Sequence, residues 1–413
     1  MKPGRWMIAG LILVTPGLPP SGARAQLLPG GGVAQVVPGV LGRVGDTVGG
    51  IGDATGLDRL SPARLADRLA AARTARIADL LARQRDRIEA DERQQPARRG
   101  VILLTGADAA ALTALRAAGY GVADEAVEGL DLSVTRLTAP AGRNLREALR
   151  EVRRIAPRAQ ASADNLYFQS GPALSFTAGA LASGRLDGRA AGLIDGGVAA
   201  HPALTGAIEQ RGFADGAPRA SAHGTAVASL ISGTGAVRGA APGTPLLVAD
   251  VYGDDPAGGS AFAIVRALGW MAARGVRVVT VSLVGPANPL LDGAIRLARE
   301  RGVTVVAAVG NDGPAAPPAY PASYPGVIAV TGIDGRGRVL PEAGRALHVD
   351  FAAPGADMRA ADARGGSSAV RGTSFAAPLV AGRLFARGGL EALRSEAARA
   401  KPPVLCGSCR NMD

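Results

Sequence analysis

Three residues in this chain could together activate a hydroxyl group. Ser374 lies in 371-RGTSFAAPLVAG-382, His223 lies in 221-SAHGTAVASLISG-233, and Asp195 ends an apolar run. A serine becomes a nucleophile when a base, usually histidine, takes its proton and a carboxylate orients the imidazole. Taken alone, Ser374 is more typical of a hydroxyl that caps a buried helix. The other residues decide between these two roles.

The choice of base is narrow because the chain has only three histidines. His201 is expected in a loop, in a surface or capping role. His348 is expected in a strand, in a structural role. His223 lies at the start of a predicted helix, directly before a glycine and a threonine, and is therefore the candidate base.

An oxyanion donor can also be assigned. Asn311 follows an apolar strand in 305-VVAAVGNDG-313. A side-chain amide there could donate to a developing negative charge, and one such donor contributes ~10²–10³ in turnover. Asn-Asp-Gly after a strand is also an ordinary turn. Each residue is unremarkable alone, and it is the ordered set of four that indicates catalysis.

The segments around these residues resemble the subtilisin-type serine peptidases in order and approximate spacing. They are 193-LIDGGVAAHPAL-204, 221-SAHGTAVASLISG-233, 280-TVSLVGP-286, 305-VVAAVGN-311, 324-YPGVIAV-330, 352-AAPG-355 and 372-GTSFAAPLVAG-382. The order Asp, His, Ser is that of subtilisin. The resemblance implies a serine endopeptidase in which Asp195 orients His223, the general base and acid. It also implies that Ser374 is the nucleophile and Asn311 the oxyanion donor.

The resemblance further implies which residues bind substrate: Ser282, Leu283, Val284, Ala308, Val309 and Gly310. Val284 and Val309 stand where smaller residues are common in the family. The primary specificity pocket should therefore be narrow and prefer small or medium apolar residues before the cut. No cofactor is assigned, and structural calcium is possible, with 254-DD-255 a weak candidate site that is better explained as a solvated loop.

Two other functions stay open. The fold could serve as a binding module with its upstream region permanently bound, or it could hydrolyse esters or amides of small molecules. For the peptidase, the expected partners are protein or peptide substrates and its own prodomain.

The bulk composition argues against nucleic-acid binding. The formal charge is +11, but the cations are almost all arginines spread along the chain among acidic residues. A phosphate-binding surface needs a clustered stripe of cations. With 47% hydrophobic and only 3% aromatic residues, the chain favours a large aliphatic core over aromatic stacking platforms.

The N-terminal sequence indicates export, and the use of cysteine agrees with it. Lys2 and Arg5 precede an apolar run, and 23-ARA-25 supplies the small residues of a cleavage site, as in a secretory signal peptide. No stable membrane span is expected after its removal, and the destination is secreted or periplasmic. Cys406 and Cys409 are expected to form a local disulfide.

The predicted fold is a doubly wound α/β peptidase with a mostly parallel sheet, preceded by a small α+β ferredoxin-like prodomain. In many members of the family, a small βαββαβ prodomain helps the peptidase to fold and blocks its active site until it is cut off. The resemblance implies this role here. The last residues of the prodomain, 164-DNLYFQS-170, differ at one position from the recognition site of tobacco etch virus protease. A chance native match is favoured over an engineered site. The predicted divisions are a signal peptide (1–25), a linker (26–60), a charged helical segment (61–95), the prodomain (96–170), the peptidase (171–400) and a tail with CxxC (401–413).

Overall fold

The computed structural model describes residues 61–169, 186 and 189–411. All of them fall within residues 41–413, one of the two units into which the chain divides. The predicted signal peptide and linker lie outside the described residues, as does the predicted boundary between prodomain and peptidase.

The upstream unit, residues 61–169, begins with helix α1 (Pro62–Arg83). A serine N-cap and a proline in the first turn both favour a helix start here. The predicted charged helical segment is too long, because Ile88–Ala90 already forms strand β1. Asp91 then accepts hydrogen bonds from two backbone N–H groups of the following turn, which gives the backbone an alternative to helix.

The rest of the upstream unit has the predicted order of elements. They are β2 (Pro96–Thr105), α2 (Ala109–Ala117), β3 (Gly121–Val127), β4 (Leu132–Thr138), α3 (Leu145–Ile155), β5 (Gln160–Asn165) and the short β6 (Phe168–Gln169). Four strands pair antiparallel in the order β5, β2, β4, β3, which is a ferredoxin-like sheet, and β1 adds to β2.

A seven-stranded parallel sheet forms the centre of residues 189–411. The strands of this region are β7 (Ala191–Asp195), β8 (Ile208–Gly212), β9 (Leu246–Asp250), β10 (Val278–Val281), β11 (Leu283–Val284), β12 (Thr304–Ala308), β13 (Ile328–Ile333), β14 (Phe351–Pro354), β15 (Met358–Ala361) and β16 (Ser367–Val370). The sheet order is β14, β13, β12, β10, β7, β9, β8, while β15 and β16 form a separate hairpin. Strands buried on both faces need near-continuous apolar sequence, and β7, β9 and β10 are buried at every position.

Helices cover both faces of this sheet, which confirms the predicted doubly wound α/β class. The helices are α4 (Ala222–Ser232), α5 (Ala261–Ala273), α6 (Pro289–Glu300), α7 (Thr373–Arg387) and α8 (Leu390–Glu396). One apolar core contains residues of α4 and α7, and the other contains residues of α5 and α6. The core of α5 and α6 also includes residues of the upstream unit, among them Leu103, Val127 and Val134.

The upstream unit packs on α5 and α6. The backbones approach closely at Gly269, where a Cβ would overlap the carbonyl oxygen of Glu128. Asp164 Oδ1 accepts from the N–H of Phe262 at 2.9 Å, in the first turn of α5. Asn288 Nδ2 donates to the carbonyl of Ala163, also at 2.9 Å. Buried hydrogen bonds of Asp164 and Asn288 therefore join the upstream unit to α5 and to the start of α6.

The C-terminal tail returns to the sheet. Ala352 of β14 donates to the carbonyl of Pro403 and accepts from the N–H of Leu405, both at 2.8 Å. Leu405 is fully buried. Cys406 and Cys409 form the predicted local disulfide directly after this contact.

The buried Asp164 should make stability depend on pH. Burial raises the pKa of its carboxyl from the ordinary 3.8 to about 6, although the N–H of Phe262 opposes the rise. The folded state therefore binds this proton more tightly, so the group's stabilisation is full below about pH 4 and is lost as the pH rises to about 6. The test compares Asp164→Asn with its parent in a Ser374→Ala background. The difference in the free energy of unfolding should shift in favour of Asp164→Asn by ~2–3 kcal/mol when the pH is raised from 4 to 7.

Urea unfolding at both pH values measures this. Asp131→Asn, which changes an exposed carboxylate of the same unit, is the control and should show no such change. An equal effect of Asp164→Asn at pH 4 and pH 7 would contradict the assignment.

Candidate active site

Asp195 and His223 form the centre of the site. Asp195 is the last residue of β7 and His223 lies in the first turn of α4, and both are buried. His223 Nδ1 lies 2.9 Å from each carboxylate oxygen of Asp195. The carboxylate thus favours the tautomer with the proton on Nδ1. Nε2 is buried and has no hydrogen-bond partner among the described residues, which suits it to accept a proton.

Ser374 is inside α7 and does not cap it. The N-cap is Gly372, which makes no side-chain capping bond, and Ser374 is the second helical residue and fully buried. The next residue, Phe375, contacts the His223 ring with centroids 5.5 Å apart. Since α4 and α7 pack against each other, this contact places the start of α7 beside the imidazole.

Asn311 lies just after β12 and is held by α7. Its Oδ1 accepts from the N–H of Thr373 at 2.9 Å, and the Thr373 hydroxyl donates to the carbonyl of Gly310 at 3.1 Å. Because the amide oxygen of Asn311 accepts a hydrogen bond from Thr373, the NH₂ group of Asn311 points away from Thr373 N–H. The arrangement orients an amide donor next to the residue that precedes Ser374.

A second buried carboxylate, Asp250, is in register with Asp195 on the neighbouring strand β9. It accepts from the backbone N–H groups of Arg219, Tyr252 and Gly253. Burial raises the pKa of Asp250 and the charge of Asp195 adds to this, while the three backbone bonds oppose it. Asp250 therefore ties together the loops before α4 and after β9, a role the sequence did not suggest.

The six predicted substrate-binding residues have different environments. Ser282 donates from its hydroxyl to the carbonyl of Ser374 at 3.0 Å. Leu283 and Val284 are β11, which lies outside the main sheet. Val284, Val309 and Gly310 line a cavity of about 750 Å³, whereas Ala308 is buried in the core and does not line it.

The end of the upstream unit lies in this cleft. Strand β6 pairs antiparallel with β11, with Gln169 opposite Leu283 and Phe168 opposite Val284. Gln169 Nε2 donates to Asp195 Oδ1 at 2.9 Å. The same carboxylate oxygen also accepts from the N–H of Gly196 at 2.7 Å. The pairing of Gln169 with Leu283 was not predicted, because no local pattern reports a pairing across more than a hundred residues.

Helix α1 lies across the same cavity. Arg73 and Arg76 both pair with Asp312, at 3.2 Å and 2.5 Å, next to Asn311. Leu69 covers the following residue, Gly313, since a Cβ there would lie 2.9 Å from Leu69 Cδ1. The spacing of two arginines by three residues on one helix face was the available sequence signal for this contact.

Comparison with known proteins decides the family. Residues 187–386 match the family model of the subtilases, Peptidase S8. Subtilisin BL of Lederbergia lenta is 33% identical over 200 residues, which cover 46% of this chain and 72% of that protein. This chain belongs to the subtilase family. As a subtilase, it is a serine-type endopeptidase.

Two further comparisons agree with the subtilase assignment. The major intracellular serine protease of Bacillus subtilis is 34% identical over 171 residues, covering 39% of this chain and 53% of that protein. The structure of fervidolysin from Fervidobacterium pennivorans, a keratinolytic enzyme related to subtilisin, has a TM-score of 0.58 at 20% identity. It covers 70% of this chain and 54% of that one, and at this identity it shows the fold alone.

The carboxylates of 254-DD-255, the weak calcium candidate of this subtilase, pair with arginines. Asp255 has a fully buried side chain that pairs with Arg87 at 2.9 Å and Arg98 at 2.7 Å, both from the upstream unit. Asp254 pairs at longer range with Arg219. Within residues 61–169 and 189–411, no group of three or more His, Cys, Asp or Glu side chains could hold a metal ion.

No helix in the described part of this subtilase is long and apolar enough to cross a membrane.

The contact between α1 and the loop after β12 can be tested through Asp312. Asp312→Asn should weaken the hold of two arginines on α1, so backbone amides of residues 62–83 should exchange faster with solvent. Hydrogen exchange of the intact Ser374→Ala chain measures this. Asp79→Asn, which breaks an ion pair within α1 itself, is the matched control. Equal exchange of α1 in the Asp312→Asn chain and its parent would show that the ion pairs do not hold the helix.

Proposed function

We propose that this subtilase is made as an inactive precursor whose own triad removes the upstream unit, after which the freed cleft hydrolyses peptide bonds in other proteins. In this proposal Asp195, His223 and Ser374 are the triad and Asn311 is the oxyanion donor. The observation that carries it is the buried Asp195–His223 pair. His223 Nδ1 contacts Asp195, while His223 Nε2, beside the first turn of α7, has no hydrogen-bond partner among the described residues and can accept a proton.

The chemistry follows from the positions of these groups. His223 Nε2 takes the proton of Ser374 Oγ as that oxygen attacks the peptide carbonyl, and the carbonyl electrons move to its oxygen. The Asn311 amide donates to that oxyanion. His223 then returns the proton to the departing amine, which leaves an acyl-serine. Water, deprotonated by His223, cleaves the ester and restores Ser374, while Asp195 stabilises the imidazolium in both halves.

Two contacts support inhibition of the precursor by the upstream unit. Strand β6 pairs with the edge of β11, to which an extended substrate would otherwise add as a strand. Helix α1 lies over the cavity and is fixed to Asp312 beside Asn311. The precursor thus combines a pairing that resembles substrate with a cover over the pocket.

A narrow primary pocket is part of the proposal. The Val284 side chain lies 3.1 Å from the position that a Cβ on Gly310 would take, so it occupies the space between these two residues. Small side chains before the cut fit this geometry best. The proposal includes export by a signal peptide to a secreted or periplasmic destination, and the charged and apolar pattern at the N-terminus supports it.

Self-cleavage can be followed by intact mass. The purified chain from Gln26 onward should split between about residues 160 and 185, whereas Ser374→Ala should stay whole. Ser368→Ala, at an exposed serine of β16, is the matched control and should split normally. If the parent chain stays whole even after trace protease, and Ser374 does not react with a fluorophosphonate, the fold is catalytically idle.

The role of Asn311 is tested by the first-order rate of the same self-cleavage. Asn311→Ala should slow it by ~10²–10³, because one oxyanion donor is lost. Asn311→Asp keeps an oxygen for the Thr373 N–H but has no NH₂, so it separates a structural effect from the loss of the donor. It should be slow as well. A rate close to the parent's in both variants would contradict the assignment.

A further inference from the structure

Glu342 is a buried carboxylate outside the triad that binds the residue three positions before Ser374. It forms a bidentate ion pair with Arg371, with Oε1 2.7 Å from Nε and Oε2 3.0 Å from Nη2. Arg371 directly precedes Gly372, the N-cap of α7. A planar guanidinium bound at two points fixes orientation as well as distance. The pair therefore holds the backbone from which the first turn of α7 starts.

The main chain around Glu342 holds the loop after β12. The carbonyl of Glu342 accepts from the N–H of Gly313 at 3.0 Å. Two residues further on, the N–H of Gly344 donates to the carbonyl of Gly310 at 2.6 Å. A Cβ on Gly344 would overlap a carbonyl oxygen of the same loop, so the two backbones are in direct contact. These bonds lie on either side of Asn311, the proposed oxyanion donor.

Thr373 joins the loop after β12 to the start of α7. Its N–H donates to Asn311 Oδ1 at 2.9 Å, and its hydroxyl donates to the carbonyl of Gly310 at 3.1 Å. Three segments thus contact one another in pairs, and we call them the oxyanion triangle: residues 310–313, 342–344 and 371–373. Within the oxyanion triangle, Glu342 bonds to one segment by its carbonyl and to the other by its carboxylate.

We propose that Glu342 is a positioning residue for the catalytic centre, which sets the spacing between Ser374 and the Asn311 amide through its pair with Arg371. The inference rests on the proposed function, in which these two groups act on the same peptide carbonyl. An oxyanion donor is effective when it is held in place before the charge develops, and a small displacement weakens it. Glu342 does not line the cavity of about 750 Å³, so it acts through its neighbours and not by contact with substrate.

A second bidentate ion pair on α7 provides a matched control. Arg383 binds Glu396 at two points, with Nε 2.7 Å from Oε1 and Nη2 2.7 Å from Oε2. Arg383 lies in the second half of α7, and Glu396 is the last residue of α8. Both pairs fix α7, but the pair of Glu342 lies at the end that carries the nucleophile. The two glutamates therefore separate stabilisation of α7 from positioning of its start.

The first test measures kcat and KM of the self-processed full chain on a quenched-fluorescent peptide of residues 160–185. The kcat is expressed per fluorophosphonate-reactive serine, so that loss of folded enzyme does not affect it. Glu342→Gln should lower kcat about tenfold and leave KM nearly unchanged, because the donor is displaced while the ground-state contacts remain. Glu396→Gln should leave both constants at the parent's values. An unchanged kcat in Glu342→Gln, or an equal fall in Glu396→Gln, would overturn the inference.

The second test asks whether Glu342 acts through Asn311. In the Asn311→Ala chain the donor is absent, so its placement no longer affects the rate. Adding Glu342→Gln to that chain should slow the first-order self-cleavage by less than about twofold, whereas Glu342→Gln alone should slow it about tenfold. A further tenfold loss in the double variant would show that the two residues act independently, and the assigned route would then be wrong.

The third test removes both side chains of the pair. Arg371→Met alone would leave Glu342 buried and unpaired, so it is combined with Glu342→Gln. The double variant should have the kcat of Glu342→Gln, because the two side chains act as one unit. A return to the parent's kcat, or a further tenfold fall, would show that they do not act as a pair.

The outcomes separate this inference from the proposed function. If the parent is labelled at Ser374 and cleaves the peptide or casein, while Glu342→Gln keeps the parent's kcat, the positioning role fails and the peptidase stands. If Ser374 of the parent is not labelled and neither substrate is cleaved, the proposed function fails and the positioning role fails with it.

Discussion

Because β7, β9, β10 and β12 run parallel, their carboxyl ends meet at one edge of the sheet, and most polar groups of the site come from that edge. Asp195 ends β7, Ser282 follows β10 and Asn311 follows β12. A slip of one residue in any of these strands would turn its side chains to the opposite face. His223 and Ser374 come instead from α4 and α7, which pack together on one face of the same sheet.

The described state combines a formed active centre with an occupied cleft. The Asp195–His223 distance of 2.9 Å is that of a normal hydrogen bond, so the upstream unit does not hold the centre apart. Gln169 adds a donor to the Asp195 carboxylate without displacing the imidazole. In the proposed precursor, blocking by occupancy would leave the Asp195–His223 pair already formed when the cleft is vacated.

The sequence predicted the fold where local chemistry decides it. Apolar strand runs and helix periodicity predicted the parallel sheet and the βαββαβ unit, and the ordered set Asp195, His223, Ser374 identified the family. The charged helical segment was predicted too long because residues 88–90 pair with β2 as strand β1, and the local pattern does not report that pairing. The pairing of β6 with β11 was not predicted, because it joins segments far apart in sequence. Such contacts follow from the docking of two folded parts and leave no periodic signal.

The return of the C-terminal tail to β14 has a consequence for solubility. The outer side of an edge strand is a template on which another chain can pair. Here Ala352 gives its outward N–H and carbonyl to residues 403–405 of the same molecule, and the disulfide follows at once. An enzyme that digests proteins is exposed to nicking of its own ends. Loss of this tail would uncover main-chain groups at the sheet edge and open the molecule to association with its copies.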